Sequence, residues 1–155
     1  MKSRWIAGAL ALALTGCLSA TQRREDDLIR EARTFNDDLR WARWEAMCAD
    51  MLADDKQAFM ARVDLVGDDL VMGDFEVKAV RFDANSQGAS VTVDVEWYRK
   101  SDPTLRSTTL AQRWETRGAR WMMVKQRRSR GDRFPLVNEP SEAKPPAPDD
   151  ATAAK

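Results

Sequence analysis

Apolar positions recur along this chain in three rhythms, and each predicts a different kind of element. The first is an unbroken run from Trp5 to Leu14, preceded by the basic Lys2 and Arg4. At about ten residues it fits the apolar core of a secretory leader and is too short to span a bilayer as a helix. The second rhythm is helical: Leu28, Ala32, Phe35 and Leu39 are spaced four, three and four apart. Trp44, Met47, Cys48 and Met51 then continue in a different phase. Asn36-Asp37-Asp38 supplies cap-type residues where the phase begins to change, which predicts two helices, or one kinked helix, with the break between Asn36 and Trp41. A third helix carries Phe59, Val63 and Val66 on one face, with Asp54 or Asp55 as its cap and Gly67 at its C-terminal end.

The third rhythm has a period of two and begins near Leu70. Phe75, Val77 and Ala79 alternate with Glu76 and Lys78, after which Val80 and Phe82 carry the apolar character on the opposite parity. A one-residue slip of this kind predicts a β-bulge. Asn85-Ser86-Gln87-Gly88 signals a turn, and Val91, Val93, Val95 and Trp97 then alternate cleanly with polar neighbours. After a turn at Ser101-Asp102-Pro103, a third strand presents Thr108, Leu110, Gln112 and Trp114. The fourth runs from Trp121 to Arg127. A two-residue turn at Arg117-Gly118 would set Trp114 directly opposite Trp121. Beyond Pro135 the chain turns to Pro, Ala, Glu and Asp without an aromatic residue, a composition that cannot bury enough apolar surface to fold. The expected organisation is therefore a leader over residues 1–16, a short tether over 17–22, one α+β domain over 23–136 and a disordered tail over 137–155. In that domain, N-terminal helices pack on a curved antiparallel sheet of about four strands.

Composition narrows the chemistry. The chain has 25 basic and 25 acidic side chains, and once Lys2 and Arg4 leave with the leader the remainder is slightly acidic. That gives no electrostatic case for a general nucleic-acid binder. There is no histidine, which removes the commonest general base and zinc ligand. No metal site is expected: Asp37-Asp38, Asp54-Asp55, Asp68-Asp69 and Asp149-Asp150 lack the spacing of a calcium loop and are accounted for by caps and turns. Asp94 and Glu96, two apart on the polar parity of the cleanest strand, would need burial to act as an acid/base pair, and the alternation places them on a solvated face. No catalytic residue and no cofactor is expected.

The residues at the end of the apolar run carry a more specific signal. Leu14-Thr15-Gly16-Cys17 resembles the lipobox of bacterial lipoproteins, which is Leu, two small residues and Cys. The resemblance implies cleavage between Gly16 and Cys17, lipidation of Cys17, and attachment to the cell envelope through the anchor. Several acyl chains on one residue hold a protein stably at a membrane, where one chain does so only marginally. Leu18 stands where an Asp would, in some bacteria, retain a lipoprotein at the inner membrane, so the resemblance favours the outer membrane. Cys48 is then the one thiol left over; it reads as a small buried apolar side chain or as a reactive, intermolecular one.

Helices followed by a bent antiparallel sheet, ending in the Trp114-Glu115-Thr116-Arg117-Gly118-Ala119-Arg120-Trp121 hairpin, resemble the nuclear-transport-factor-2-like superfamily, a cone whose sheet wraps around N-terminal helices. Cystatin-like and other helix-on-meander domains read much the same. None of the superfamily's catalytic motifs is matched, and many members serve protein–protein contact. The expected function is a non-enzymatic envelope lipoprotein that binds a protein or structural partner. The alternative is a carrier of a small hydrophobic ligand in the cone interior, and an isomerase- or dehydratase-type enzyme comes last. The candidate contact surface comprises Trp41, which falls outside both helical stripes, and the basic stretch Lys125, Arg127, Arg128, Arg130 and Arg133. Arg130-Gly131-Asp132 matches an adhesion tripeptide, a pattern too short to carry weight.

Overall fold

A computed structural model describes residues 7–84 and 86–137; of residues 7–21 and 54 it describes the backbone alone. Three helices, α1 (Ala7–Arg40), α2 (Trp44–Cys48) and α3 (Ala53–Val66), precede four strands: β1 (Leu70–Phe82), β2 (Gly88–Arg99), β3 (Asp102–Arg117) and β4 (Arg120–Gly131). The strands form one antiparallel sheet in the order β1-β2-β3-β4. The architecture is α+β, helices packed against an open sheet.

The stripe Leu28, Ala32, Phe35 and Leu39 is buried on α1, as its spacing predicts. It lies against the inner face of the sheet, where Val91, Val93, Val95, Leu110 and Trp114 are all fully buried. Phe35 meets Trp114 edge-on, with ring centroids 5.6 Å apart at 82°. Burial of such side chains contributes roughly 1.5–3 kcal/mol each, so this seam is the main source of the fold's stability.

The helix breaks after Arg40, at the late end of the expected window and not at the cap-type residues. Asn36 is not a cap; it is inside α1, fully buried, with its Nδ2 donating to the Ala32 carbonyl at 2.7 Å. The chain leaves the helix after Arg40, and Ala42 takes a left-handed φ of 54°. Arg43 pins this turn, its Nε donating to Asp38 at 2.6 Å and its Nη2 to Asp37 at 2.9 Å. Those two acidic side chains act from inside the helix on the turn that follows it. Likewise α3 begins at Ala53, with Leu52 as a cap that makes no side-chain hydrogen bond, so neither Asp54 nor Asp55 fills that position. Gly67 does close α3, in a right-handed conformation; a Cβ there would sit 2.7 Å from the Val63 carbonyl oxygen. At the other end, residues 17–22, expected as a tether, continue the backbone of α1.

The phase slip in β1 is a bulge. Val77 faces Val93 and Ala79 faces Thr92, leaving Lys78 as the extra residue; a second shift lies between Met72 and Asp74. Two of the three returns in the sheet move relative to expectation. Lys100 and Ser101 make the β2–β3 turn, held by Asp69, which accepts from the Ser101 backbone at 2.8 Å and its hydroxyl at 2.6 Å. Asp102 and Pro103 already belong to β3. The β3–β4 turn is Gly118-Ala119, not Arg117-Gly118, so Thr116 faces Trp121, and Trp114 faces Met123. The two indoles therefore find other partners: Phe35 for Trp114, and Phe82 at 5.9 Å for Trp121.

After β4, Phe134, Leu136 and Val137 are buried, and Phe134 packs on Trp97 at 5.6 Å. Val137, assigned to the tail by composition, is thus part of the core. The rest of that tail, 138–155, and the leader residues 1–6 lie outside the described residues.

Candidate functional site

Alternation along the strands sends one set of side chains into the helical layer and the other onto an open outer face. Lys125 faces Arg113, Arg127 faces Ala111 and Arg130 faces Thr109, and all three basic residues are exposed. None of the three forms an ion pair with a described residue. Their neighbour Arg113 does: it is bound to Asp83, which it holds below the usual carboxylate range. Arg128 points the other way. It faces the buried Leu110, is half-buried, and donates through Nη1 to the Gly131 carbonyl at 2.9 Å. Arg133 lies beyond the strand and is exposed. Of the five basic residues singled out by sequence, the structure thus aligns three on one face.

The opposite side of that face is acidic. Asp74 pairs with Glu96 across β1 and β2, and Glu76 with Asp94. Lys78, from the bulge, bonds to Glu76 and comes within 3.9 Å of Asp94. Asp94 also accepts from the Thr109 hydroxyl at 2.7 Å. Asp94 and Glu96 therefore sit on the outer face, as alternation predicts, in an open recess of about 180 Å³ shared with Glu76 and Lys78. Among the described residues no three Asp, Glu or Cys side chains converge as metal ligands.

Trp41 is 61% exposed, in the turn between α1 and α2, with the Arg40 guanidinium 5.6 Å from its ring centre. It belongs to the helical layer, so it does not share a face with the β4 bases. Cys48 is buried at 3% exposure on the second helical stripe, and burial raises its thiol pKa. The side chain of Cys17 lies outside what the structure describes, as do residues 1–6 of the leader. Gly131 and Asp132 of the adhesion-like tripeptide close β4 structurally: Gly131 has φ 85°, and the Asp132 carbonyl accepts from Thr108 at 2.7 Å.

One feature of the interior was missed by residue type. Asn36 and Gln112 are buried at 0% and 1% exposure and bonded to each other, Gln112 Nε2 donating to Asn36 Oδ1 at 2.9 Å. Gln112 also donates to Gln126 Oε1 at 2.9 Å and accepts from the Trp114 indole at 3.3 Å. The signal was positional: Asn36 lies four residues after Ala32, and Gln112 sits on the buried parity of β3. Polar side chains at two core positions require each other.

The described residues line several recesses on the helical side, among them one of about 330 Å³ between α1 and the β3–β4 turn, and two more. A groove of about 560 Å³ runs between α1 and the β1 edge, with Arg33, Asp37 and Arg40 above Phe75 and Val77. A smaller pocket of about 240 Å³ opens between α2, α3 and β4, beside Leu136. Comparison with known proteins adds no template for any of them: no family model, no curated protein and no solved structure matches this chain.

Proposed function

We propose that this protein is a lipid-anchored lipoprotein of the bacterial cell envelope, whose α+β domain is a non-enzymatic module that binds a protein or structural partner. The observation that carries the reading is the sequence Leu14-Thr15-Gly16-Cys17 behind a basic start and a short apolar run. Membrane attachment then comes from acyl chains on Cys17, and Leu18 favours the outer membrane. Among the described residues no helix is long and apolar enough to cross a membrane, which is compatible with an anchor in place of a span.

A nuclear-transport-factor-2-like cone is the finer fold we favour, on the order of its elements and the bulged strands. The inner face of the sheet is filled by Phe35, Leu110, Trp114 and the β2 valines, which supports contact through outer surfaces over ligand binding deep in the cone. Lys125, Arg127 and Arg130 on the outer face are the contact residues we propose for a partner with an acidic surface, with Trp41 as a separate contact on the helical side.

Fractionation of cells producing the Cys17→Ala variant tests the anchor. The variant should accumulate unprocessed or be released from the membrane; processing and membrane retention equal to the parent would overturn the reading. Affinity capture from solubilised membranes tests the partner, with a Lys125→Glu/Arg127→Glu/Arg130→Glu variant as control. Equal capture by parent and variant would remove the basic face from the proposal.

A second reading, carriage of a small ligand, is favoured by the pocket between α2, α3 and β4.

A further inference from the structure

The polarity of the buried amide chain is fixed at its inner end. The Trp114 indole N–H can only donate, so the atom of Gln112 that it meets is the oxygen. The Ala32 carbonyl can only accept, so the atom of Asn36 that it meets is the nitrogen. Gln112 must then offer N–H groups to Asn36 and to Gln126, and Gln126 must answer with its oxygen. The outer end of the chain, Gln126 Nε2, is left as a donor without a partner among the described residues.

Gln126 lines the pocket of about 240 Å³, whose other walls are Met47, Met51, Phe59, Met123 and Leu136. The walls are apolar and rich in methionine, which adapts to irregular hydrocarbon shapes. The volume is below the range of about 300–1,000 Å³ typical for drug-sized ligands, so a single short chain fits where a fused ring system does not. At the rim stands Arg62, with Asp55 as its acidic neighbour among the described residues; Lys125 borders the pocket from edge strand β4, whose outer face its side chain joins. Arg62 is fixed in place by its Nε, which donates to the Leu136 carbonyl at 3.1 Å, and this leaves its other nitrogens available.

From this arrangement we infer that the pocket binds a medium-chain fatty-acid anion, with its hydrocarbon among the methionines and its carboxylate on Gln126 Nε2 and the Arg62 guanidinium. The donor end of the amide chain and the positive rim select the same head group, an acceptor bearing negative charge. This deepens the ligand-carrier reading and does not depend on an anchor at Cys17.

The test uses the chain from residue 17 to Lys155 with Cys17→Ser, in solution, titrated separately with octanoate, octanol and octylammonium. Trp44, tilted against the pocket wall at Phe59 with centroids 6.2 Å apart, supplies the fluorescence signal, and thermal unfolding supplies a second readout. Octanoate should bind most tightly and raise the unfolding temperature. Gln126→Glu keeps an oxygen for Gln112 but replaces the donor with a negative charge, so it should weaken octanoate on the order of tenfold or more while leaving the fold intact by circular dichroism. Arg62→Gln should weaken octanoate but not octanol. Three results would overturn the inference: no preference for octanoate over the other two ligands, unchanged affinity in Gln126→Glu, or binding that appears only when residues 138–155 are removed. The last would make the pocket the seat of the chain's own C-terminal segment. Loss of membrane retention in Cys17→Ala bears on none of these readouts, so failure of the anchor and failure of the pocket are distinguishable.

Discussion

Gln112 reaches across from the third strand to Asn36 on the long helix, and the two amides bond at 2.9 Å in a region where both side chains are shielded from water. The pair ties the helix to one register on the sheet, because sliding either element by one residue would strand two amides in an apolar seam. Asn36→Leu alone should cost about 1–3 kcal/mol, since it leaves one buried Gln112 N–H without its acceptor. Adding Gln112→Leu should cost less than the sum of the two single changes, with a coupling of about 0.5–3 kcal/mol. Urea denaturation of the four-member cycle measures it. Strict additivity would mean that the amides do not depend on each other.

Two glycines with left-handed backbones should respond differently to alanine. Gly118 has φ 63° and open space around the position of a Cβ, so Gly118→Ala should cost about 1–2 kcal/mol from the backbone alone. At Gly131, φ 85°, a Cβ would collide with the Ser107 carbonyl oxygen, and the loss should be about 2–4 kcal/mol. Thermal unfolding of the two variants gives the ranking directly.

Asp50 is buried and pairs with the more exposed Arg120 at 2.7 Å. Burial raises its pKa, and Arg120 partly offsets that rise. Arg120→Gln should therefore raise it further and destabilise the protein by about 1 kcal/mol at neutral pH, a modest value because the arginine is solvated. The penalty belongs to the ionised carboxylate, so it should fade as acid protonates Asp50 in both proteins. A stability difference that persists at low pH would point to lost packing instead.

Acid should act in the other direction through Asp102. Hydrogen bonds from Thr104 and Arg106 lower its pKa from 3.8 to about 2. A depressed folded pKa contributes stability above the unfolded value, and that contribution is lost as pH falls through the folded value. The urea midpoints of the parent and Asp102→Asn should differ at pH 6 and converge as the pH drops from about 4 toward 2. Asp69 and Asp83 are lowered for the same kind of reason, by Ser101 and Arg113, and should add to the acid sensitivity of the parent.

Cys48 should be inert while the chain is folded. Its thiol is buried and burial pushes its pKa up, so little thiolate is present and less is reachable. In a Cys17→Ser chain, a thiol reagent should label Cys48 at the rate of global or local opening and rapidly in urea. Fast labelling of the native protein would show that the second helical stripe is exposed.

Where a side chain's role depends on periodicity, it was legible in advance. The stripe on α1, the valines of β2, the presence of a slip in β1 and the exposure of Trp41 all follow from counting positions, although the slip falls at Lys78 and not after Ala79. Where it depends on a one-residue choice in a turn, it was not. Gly118 can open either of two tight turns, and only the packing of Trp121 against Phe82 and Trp114 against Phe35 decides between them. Residue type misled at Asn36, Asp37 and Asp38, because good cap formers also serve as buried or turn-pinning groups when tertiary partners are present. The candidate surface was half legible: alternation put Lys125, Arg127 and Arg130 together, but the shift in pairing between Thr109 and Leu110, which leaves Ser129 over, could not be read from charge alone.

The unbroken run of α1 bears on how far the domain can wander. Arg24 bonds to the Ser86 carbonyl and lies 5.9 Å from the ring centre of Trp121, so the sheet is gripped close to where the helix enters it. From Cys17 to Arg24 a helix advances only about 10 Å, with none of the slack of a flexible leash. With the anchor proposed at Cys17, the domain would stand on a short stiff post, its β1–β2 and β3–β4 turns toward the bilayer. It would meet partners in one fixed orientation, within a few tens of ångströms of the lipid headgroups, and a partner held farther away would have to come to it.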